Sequence, residues 1–270
     1  MNNFWTRLLF GALFVGATLT AVLWHFSIFV LLFLLFLIAS SFEINKLLNA
    51  KGIIWLNVAS TGLMFFLLAL SFFDIFDMVW MFVLVIPLLY VVYNDINKYN
   101  TNFKYTFSLI YTLLYPGFGF VFMLLLLFPP IKEYNYSNQF LLALLIIVWV
   151  NDTFAYVTGR LLGKTPLFPA ISPKKTIEGS IGGILFAFLA GYIMSRFWEI
   201  LNVWQWFGFA LFGVIAAIAG DYFESYLKRR KSVKDSGMFL PGHGGALDRF
   251  DSLLFAAPVV WFYVLFLDVI

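Results

Sequence analysis

The chain has 270 residues, of which 63% are apolar and only 11% charged, against about 25% charged in an ordinary soluble domain; so much apolar surface requires lipid as its solvent. It contains no cysteine, which excludes disulfides, thiol chemistry and cysteine-ligated zinc. The formal net charge of +3 is small, so the placement of the charges carries more information than their sum, and no nucleic-acid partner is expected.

A helix that crosses the hydrocarbon core needs about 20 mostly apolar residues. In chain order such runs fall at about 7–24, 26–42, 53–73, 78–93, 105–128, 138–158, 178–198, 203–223 and 250–268. Backbone polar groups must be satisfied inside lipid, and the runs are continuous rather than alternating. The expected fold is therefore all-α, a polytopic integral membrane protein of about nine transmembrane helices. The first run has Arg7 ahead of an apolar stretch, as a signal peptide does, but no clean small-residue cleavage site follows, so it is read as a span. The second and fourth runs are short. Pro87, Pro116 and Pro258 fall inside predicted helices and should kink them. In the first half, Trp55, Trp80, Tyr111 and Tyr115 fit membrane interfaces or helix packing. On the seventh run Gly179, Gly183, Ala187 and Gly191 recur every four residues, a small-residue ridge that admits another helix at close range.

Nine spans place the N-terminus and every second connection on one face. Fifteen of the 17 Lys and Arg residues fall there, and only Lys132 and Arg196 fall on the other. The positive-inside rule makes the first face cytoplasmic, with the N-terminus inside and the C-terminus outside. Residues 1–135 read as scaffold, available for packing and dimer contacts. Residues 136–270 read as the catalytic region, interrupted by two polar cytoplasmic connections at about 159–177 and 224–249. Seven of the 14 acidic residues lie in or beside these connections: Asp152, Glu178, Asp221, Glu224, Asp235, Asp248 and Asp251. Charged groups near or within a membrane are costly and tend to mark function.

The densest stretch runs from Asp221 to Ser252. Asp221, Glu224, Ser225 and Lys228 share one face of the eighth predicted helix as it leaves the membrane. Asp248 and Asp251 lie one turn apart at the start of the ninth. Clustered carboxylates repel unless a cation sits between them, and hard oxygen ligands suit Mg²⁺, which bridges one or two carboxylates to a substrate phosphate. Lys228, Arg229, Arg230, Lys231 and Lys234 follow. Alone they read as a topology signal or a headgroup contact; mixed with acids they suit a polyphosphate. Gly242-His243-Gly244-Gly245 can bring backbone N–H groups close to a phosphate, although a tight turn is the plainer reading, and His243 could equally be a structural hydrogen bonder. In the earlier connection Asp152 needs a partner or a metal, and Arg160, Lys164, Lys174 and Lys175 add cations. Ser172-Pro173 is read as starting a turn. Thr176 and Glu178 fit helix-start chemistry.

These segments resemble the phosphatidate cytidylyltransferase family. The resemblance rests on Ser225-Tyr226-Leu227-Lys228-Arg229, Lys234-Asp235, Pro241-Gly242-His243-Gly244-Gly245 and Asp248-Arg249-Phe250-Asp251, with Gly220-Asp221 and Glu224 ahead of them. An earlier block adds Asp152, Ala155-Tyr156, Gly159-Arg160, Gly163-Lys164, Ser172-Pro173, Lys175-Thr176 and Glu178-Gly179. It covers about 150–255, and the N-terminal half matches mainly in hydropathy and in Thr6-Arg7. Phe154, Lys174 and Ala246 depart from the usual pattern, but none replaces a charged position.

The resemblance implies transfer of CMP from CTP to phosphatidate, giving CDP-diacylglycerol and pyrophosphate, by a homodimer in the bacterial inner membrane with its site at the cytoplasmic face. It implies catalytic roles for Asp221, Asp248, Lys228 and His243, and one or two Mg²⁺ ions held by Asp221 and Asp248, with Asp251 and Asp152 as further ligands. Substrate-binding roles fall to Ser225, Arg229, Lys234, Asp235, Gly244, Gly245, Arg249, Arg160 and Lys175. Two other classes stand beside this reading. One is a CTP-dependent polyprenol kinase or related lipid cytidylyltransferase. The other is a non-enzymatic lipid transporter, disfavoured because the acids gather at one face and no internal repeat is visible.

Overall fold

The computed structural model describes residues 3–50, 52–71, 85–96, 103–130, 136–239, 242 and 244–269. Part of the expected fourth span (78–84), Trp80, Pro241, His243, Lys51, Lys98 and Lys132 lie outside these residues. The helices are α1 (Asn3–Trp24), α2 (Phe26–Leu47), α3 (Ile54–Ser71), α4 (Val85–Asn94), α5 (Lys104–Thr112), α6 (Phe118–Leu125), α7 (Gln139–Leu162), α8 (Ile177–Phe197), α9 (Val203–Arg230) and α10 (Leu247–Val269). A π turn, Leu113–Gly117, joins α5 to α6. Among the described residues eight helices are long and apolar enough to cross a membrane, with α5, the π turn and α6 counted as one. They correspond to eight of the nine expected spans, and α4 is the described part of the remaining one, the fourth. The chain is thus a helical, multi-pass membrane protein.

Two compact units make up the chain. The first holds residues 1–124 and 235–250; the second holds 125–234 and 251–270. The sequence division at residue 135 lies near the first boundary, but the segment 235–250 returns to the N-terminal unit.

Within the first unit the break between α1 and α2 is set by His25, whose Nδ1 accepts from Ser27 N at 3.2 Å as the α2 N-cap. Pro116 has no N–H to give to the preceding turn, and the backbone widens there: the Phe118 N–H bonds to the Leu113 carbonyl, five residues back. A polar network lies buried between α2, α3 and α5. Asn45 Nδ2 donates to Ser41 O (2.8 Å) and Thr112 Oγ1 (2.9 Å). Asn57 Nδ2 donates to Asn45 Oδ1 (2.6 Å) and Ser108 Oγ (3.1 Å). In a solvent that offers no hydrogen bonds, such groups must find one another.

Above this network Phe250 is fully buried among Phe14, Phe33, Phe36 and Phe120, with ring centroids 4.9–5.8 Å apart in tilted and edge-on geometries. The last residue of the 235–250 segment is therefore an aromatic plug in the N-terminal unit.

The second unit is organised by glycine. A Cβ on Gly179 would stand 2.7 Å from Ala155 O, and one on Gly183 would stand 2.9 Å from Asn151 O, so α8 lies directly against the α7 backbone. Gly191 instead faces Trp206 O on α9. Four residues overshoot one helical turn by about 40°, so a ridge of period four winds around α8 and serves α7 first and α9 later. Phe154, a departure from the family pattern, stacks on Phe186 at 3.6 Å across the α7–α8 contact. The polar connection between α7 and α8 folds into a small antiparallel hairpin, β1 (Pro166–Phe168) with β2 (Ser172–Thr176). Ser172-Pro173 therefore opens a strand rather than a turn, which falls at 169–171. Thr176 is the α8 N-cap, as expected, accepting from Gly179 N at 3.1 Å.

Two stability predictions follow from this packing. Gly179→Val forces α8 off the α7 carbonyl and should cost about 1–3 kcal/mol, as overpacking does. Phe250→Ala should cost about 3–5 kcal/mol, while Phe250→Leu should cost clearly less. Thermal midpoints of the purified variants in detergent check both; a Phe250→Ala midpoint equal to wild type would contradict the plug.

Candidate active site

The acid–base residues of the second unit gather where α9 ends and β2 meets α8. Asp221 and Lys175 form an ion pair. One turn further along α9, Glu224 is fully buried and pairs with Lys228 at 2.5 Å. The i, i+4 spacing brings these two together on one helix face. A buried pair of this kind has little net value for stability, but removing either partner strands a charge. Lys175 also feels Asp251, Asp152 and Glu224. Burial pulls its ammonium pKa below the ordinary lysine value, Asp251 and Asp152 push it back up, and Lys228 opposes them. Asp152 is exposed, and Asn151 Nδ2 donates to it at 3.1 Å.

Arg229 bonds to two backbone carbonyls. Its Nε donates to Ile171 O (3.3 Å) and its Nη1 to Val233 O (3.1 Å), so it ties the hairpin turn to the chain after α9. Arg160 is exposed, with Nη1 3.4 Å from the Tyr156 hydroxyl. Ser225 is half-buried, and Lys234 is exposed. Glu178 reaches back to accept from Lys164 N (3.1 Å) and Thr165 N (3.1 Å), closing the loop that leads into β1. Along a different face of α9 an apolar groove of about 500 Å³ is lined by Phe168, Ile218, Tyr222, Tyr226 and Phe255. Ala219 and Tyr222, which flank Asp221 along α9, both border it.

The first unit holds the glycine loop and Asp248. Asp248 Oδ2 accepts from Ser236 N (2.9 Å) and Gly245 N (2.7 Å) and lies 3.0 Å from Ser236 Oγ. Gly242 and Gly244 have φ of +77° and +87°, a region that L side chains rarely adopt. A Cβ on Gly244 would also stand 2.7 Å from Asp248 Oδ2, and one on Gly242 would stand 3.1 Å from Arg7 Cγ. Asp235 and Arg249 are exposed at the two ends of this loop.

One residue that sequence reasoning passed over stands at the centre of this arrangement. Glu43, near the end of α2, is 6% exposed. Its Oε2 accepts from Ser236 Oγ (2.9 Å) and Leu247 N (2.8 Å), and its Oε1 accepts from Ala246 N (3.0 Å). The available signal was an acid at the end of an apolar run, next to Asn45 and Lys46.

The donor set suits a hard cation. Asp152, Asp221 and Asp251 offer oxygen ligands alone, in the neighbourhood of Lys175. Among the described residues no three His, Cys, Asp or Glu side chains form a closed metal cage. Mg²⁺ does not require one, since it keeps several waters and takes one or two carboxylates together with substrate phosphates.

Comparison with known proteins identifies the family. A sequence model of the cytidylyltransferase family matches residues 5–267. The chain is 43% identical over 162 residues to a phosphatidate cytidylyltransferase of Aquifex aeolicus, covering 60% of this chain and 57% of that protein. It is 38% identical over 169 residues to proteins of the same name from Staphylococcus epidermidis and Staphylococcus aureus, covering 62% of each. The match thus spans roughly three-fifths of the length of these curated relatives. With the family model running almost from end to end, the chain belongs to the cytidylyltransferase family.

Proposed function

We propose that this protein transfers a cytidylyl group from CTP to phosphatidate at the cytoplasmic face of the membrane. The observation that carries the reading is the pairing of carboxylates on α9 with ammonium groups, Asp221 with Lys175 of β2 and Glu224 with Lys228 one turn on. The name borne by the aligned relatives supports the choice of substrates.

In the proposed reaction an oxygen of the lipid phosphate attacks the α-phosphorus of CTP. The bond to the β-phosphate breaks, and pyrophosphate leaves with the electron pair. The nucleophile is already anionic near neutral pH, because the second phosphate pKa is about 6, so no strong general base is needed. The barrier is the meeting of two anions, and catalysis rests on charge neutralisation and in-line placement.

Lys175 and Lys228 are ammonium groups held beside carboxylates, able to turn toward a phosphate that takes the carboxylate's place. Asp221 and Asp248 are the proposed Mg²⁺ ligands, with Asp251 and Asp152 as further ones; when bound, the ion neutralises the phosphate oxygens. The glycine loop offers backbone N–H groups, Arg249 is an exposed cation in the same unit, and Lys234 is an exposed cation of the second unit. The apolar groove along α9 suits an acyl chain, with Tyr222 and Tyr226 as amphipathic lining. A homodimer and a cytoplasmic N-terminus belong to the same proposal.

Purified protein incubated with labelled CTP, Mg²⁺ and phosphatidate should release pyrophosphate and form CDP-diacylglycerol. Product formed only when a polyprenol replaces phosphatidate would overturn the reading in favour of a kinase. Asp221→Asn and Asp248→Asn should each lower turnover by about 10²–10³ and raise the Mg²⁺ requirement while remaining folded. Near-normal turnover and unchanged Mg²⁺ dependence in both would defeat the assignment.

The topology is tested in the cysteine-free background. Cysteines at Glu199 and at Lys231 should react with an impermeant thiol reagent from opposite sides of the membrane. Labelling of both from one side would break the nine-span arrangement.

A further inference from the structure

We infer that Glu43 is a positioning residue for Asp248, acting through the 236–247 loop. The inference rests on the proposal that Asp248 holds Mg²⁺, and it assigns a role to a residue outside every segment that carries the family resemblance.

Three observations lead to it. First, Glu43 holds both ends of the loop. Its carboxylate takes Ser236 Oγ at one end and the N–H groups of Ala246 and Leu247 at the other. All of these residues belong to the first unit.

Second, the backbone is shaped around this carboxylate. A Cβ on Gly237 would collide with Glu43 Oε1, and one on Gly245 would collide with Glu43 Oε2 and Ser236 Oγ. The glycines at these two positions leave the room that the glutamate occupies.

Third, Ser236 Oγ lies 2.9 Å from Glu43 Oε2 and 3.0 Å from Asp248 Oδ2. A hydroxyl has one hydrogen to donate, so these two carboxylates compete for it. The Ser236 and Gly245 N–H groups hold the same Asp248 oxygen. The orientation of Asp248 is thus dictated by a loop whose two ends Glu43 fixes. The negative charge of Glu43 also adds to the field that attracts a cation to Asp248. Partners that orient a metal-binding carboxylate typically change metal affinity by about 10–100-fold when removed.

A residue that merely filled the interior would affect folding alone, so the test reads metal binding directly. Full-length protein in detergent is titrated with Mg²⁺ at a fixed CTP concentration and without phosphatidate, and the rise in thermal midpoint gives the half-saturating concentration, since binding to the folded state alone stabilises it. Wild type should show a saturable rise, and Asp248→Asn should lose it. Glu43→Gln keeps the side-chain shape but sets an amide N–H₂ against backbone donors; it should raise the half-saturating Mg²⁺ by about 10–100-fold. Asn45→Ala, in the same helix but within the polar network, should lower the midpoint without moving the Mg²⁺ dependence.

The outcomes separate the two ideas. No Mg²⁺ response in wild type, or an undiminished one in Asp248→Asn, overturns the metal assignment and this inference with it. Loss in Asp248→Asn with a wild-type response in Glu43→Gln overturns the inference alone. If Glu43→Gln does not fold, Ser236→Ala takes its place, with a several-fold weaker Mg²⁺ response expected and a wild-type response overturning the inference.

Discussion

A buried carboxylate facing backbone N–H groups is the constraint on which the loop of the first unit depends. Glu43 sits at the end of an apolar helix, where an unpaired charge would be expensive. It is stabilised there only because Ala246, Leu247 and Ser236 bring it donors. The dependence runs both ways, since those N–H groups also need an acceptor once they are buried. Phe250 adds the apolar half of the same joint, seated among rings from α1, α2 and α6. The 235–250 segment is thus held near both ends by hydrogen bonds to one carboxylate and at its last residue by aromatic packing.

The second unit solves a different problem. Its cations and acids neutralise one another in pairs, Lys175 with Asp221 and Lys228 with Glu224. Charges beside a membrane are costly when unpaired, and the pairing keeps each of them tolerable. Arg229, in the same run of cations, bonds to the backbone instead. Its guanidinium is spent on two carbonyls and acts as a strut between loops.

What the sequence revealed and what it hid have physical causes. The spans were legible because lipid imposes length and apolarity on every one of them. The helix ends were not, since α2 and α9 continue past their apolar runs to Leu47 and Arg230. Helix geometry persists where hydropathy stops. The ridge of Gly179 and Gly183 announced a close helix neighbour, but its winding toward α9 required coordinates. The β1–β2 hairpin was hidden because it comprises only eight paired-strand residues with no alternating pattern. The C-terminal acids could be recognised as a group because they crowd together along the chain. Glu43 was passed over because its partners lie 193 to 204 residues away. The Asn45–Asn57 network escaped for the same reason: its members are scattered over three helices, each looking unremarkable in its own apolar surroundings.

The return of residues 235–250 to the first unit has a consequence for biogenesis. A ribosome delivers residues 1–124 to the membrane long before it makes the segment that completes them. At about 5–20 residues per second, the intervening stretch takes on the order of 5–20 s to synthesise. Through that interval Glu43 has none of its native loop donors, and the ring cluster lacks its central member. The nascent N-terminal half must therefore wait in an unfinished state, its acid exposed to water or shielded by an insertion factor, until residue 250 emerges. Maturation of this protein is paced by the arrival of one late loop.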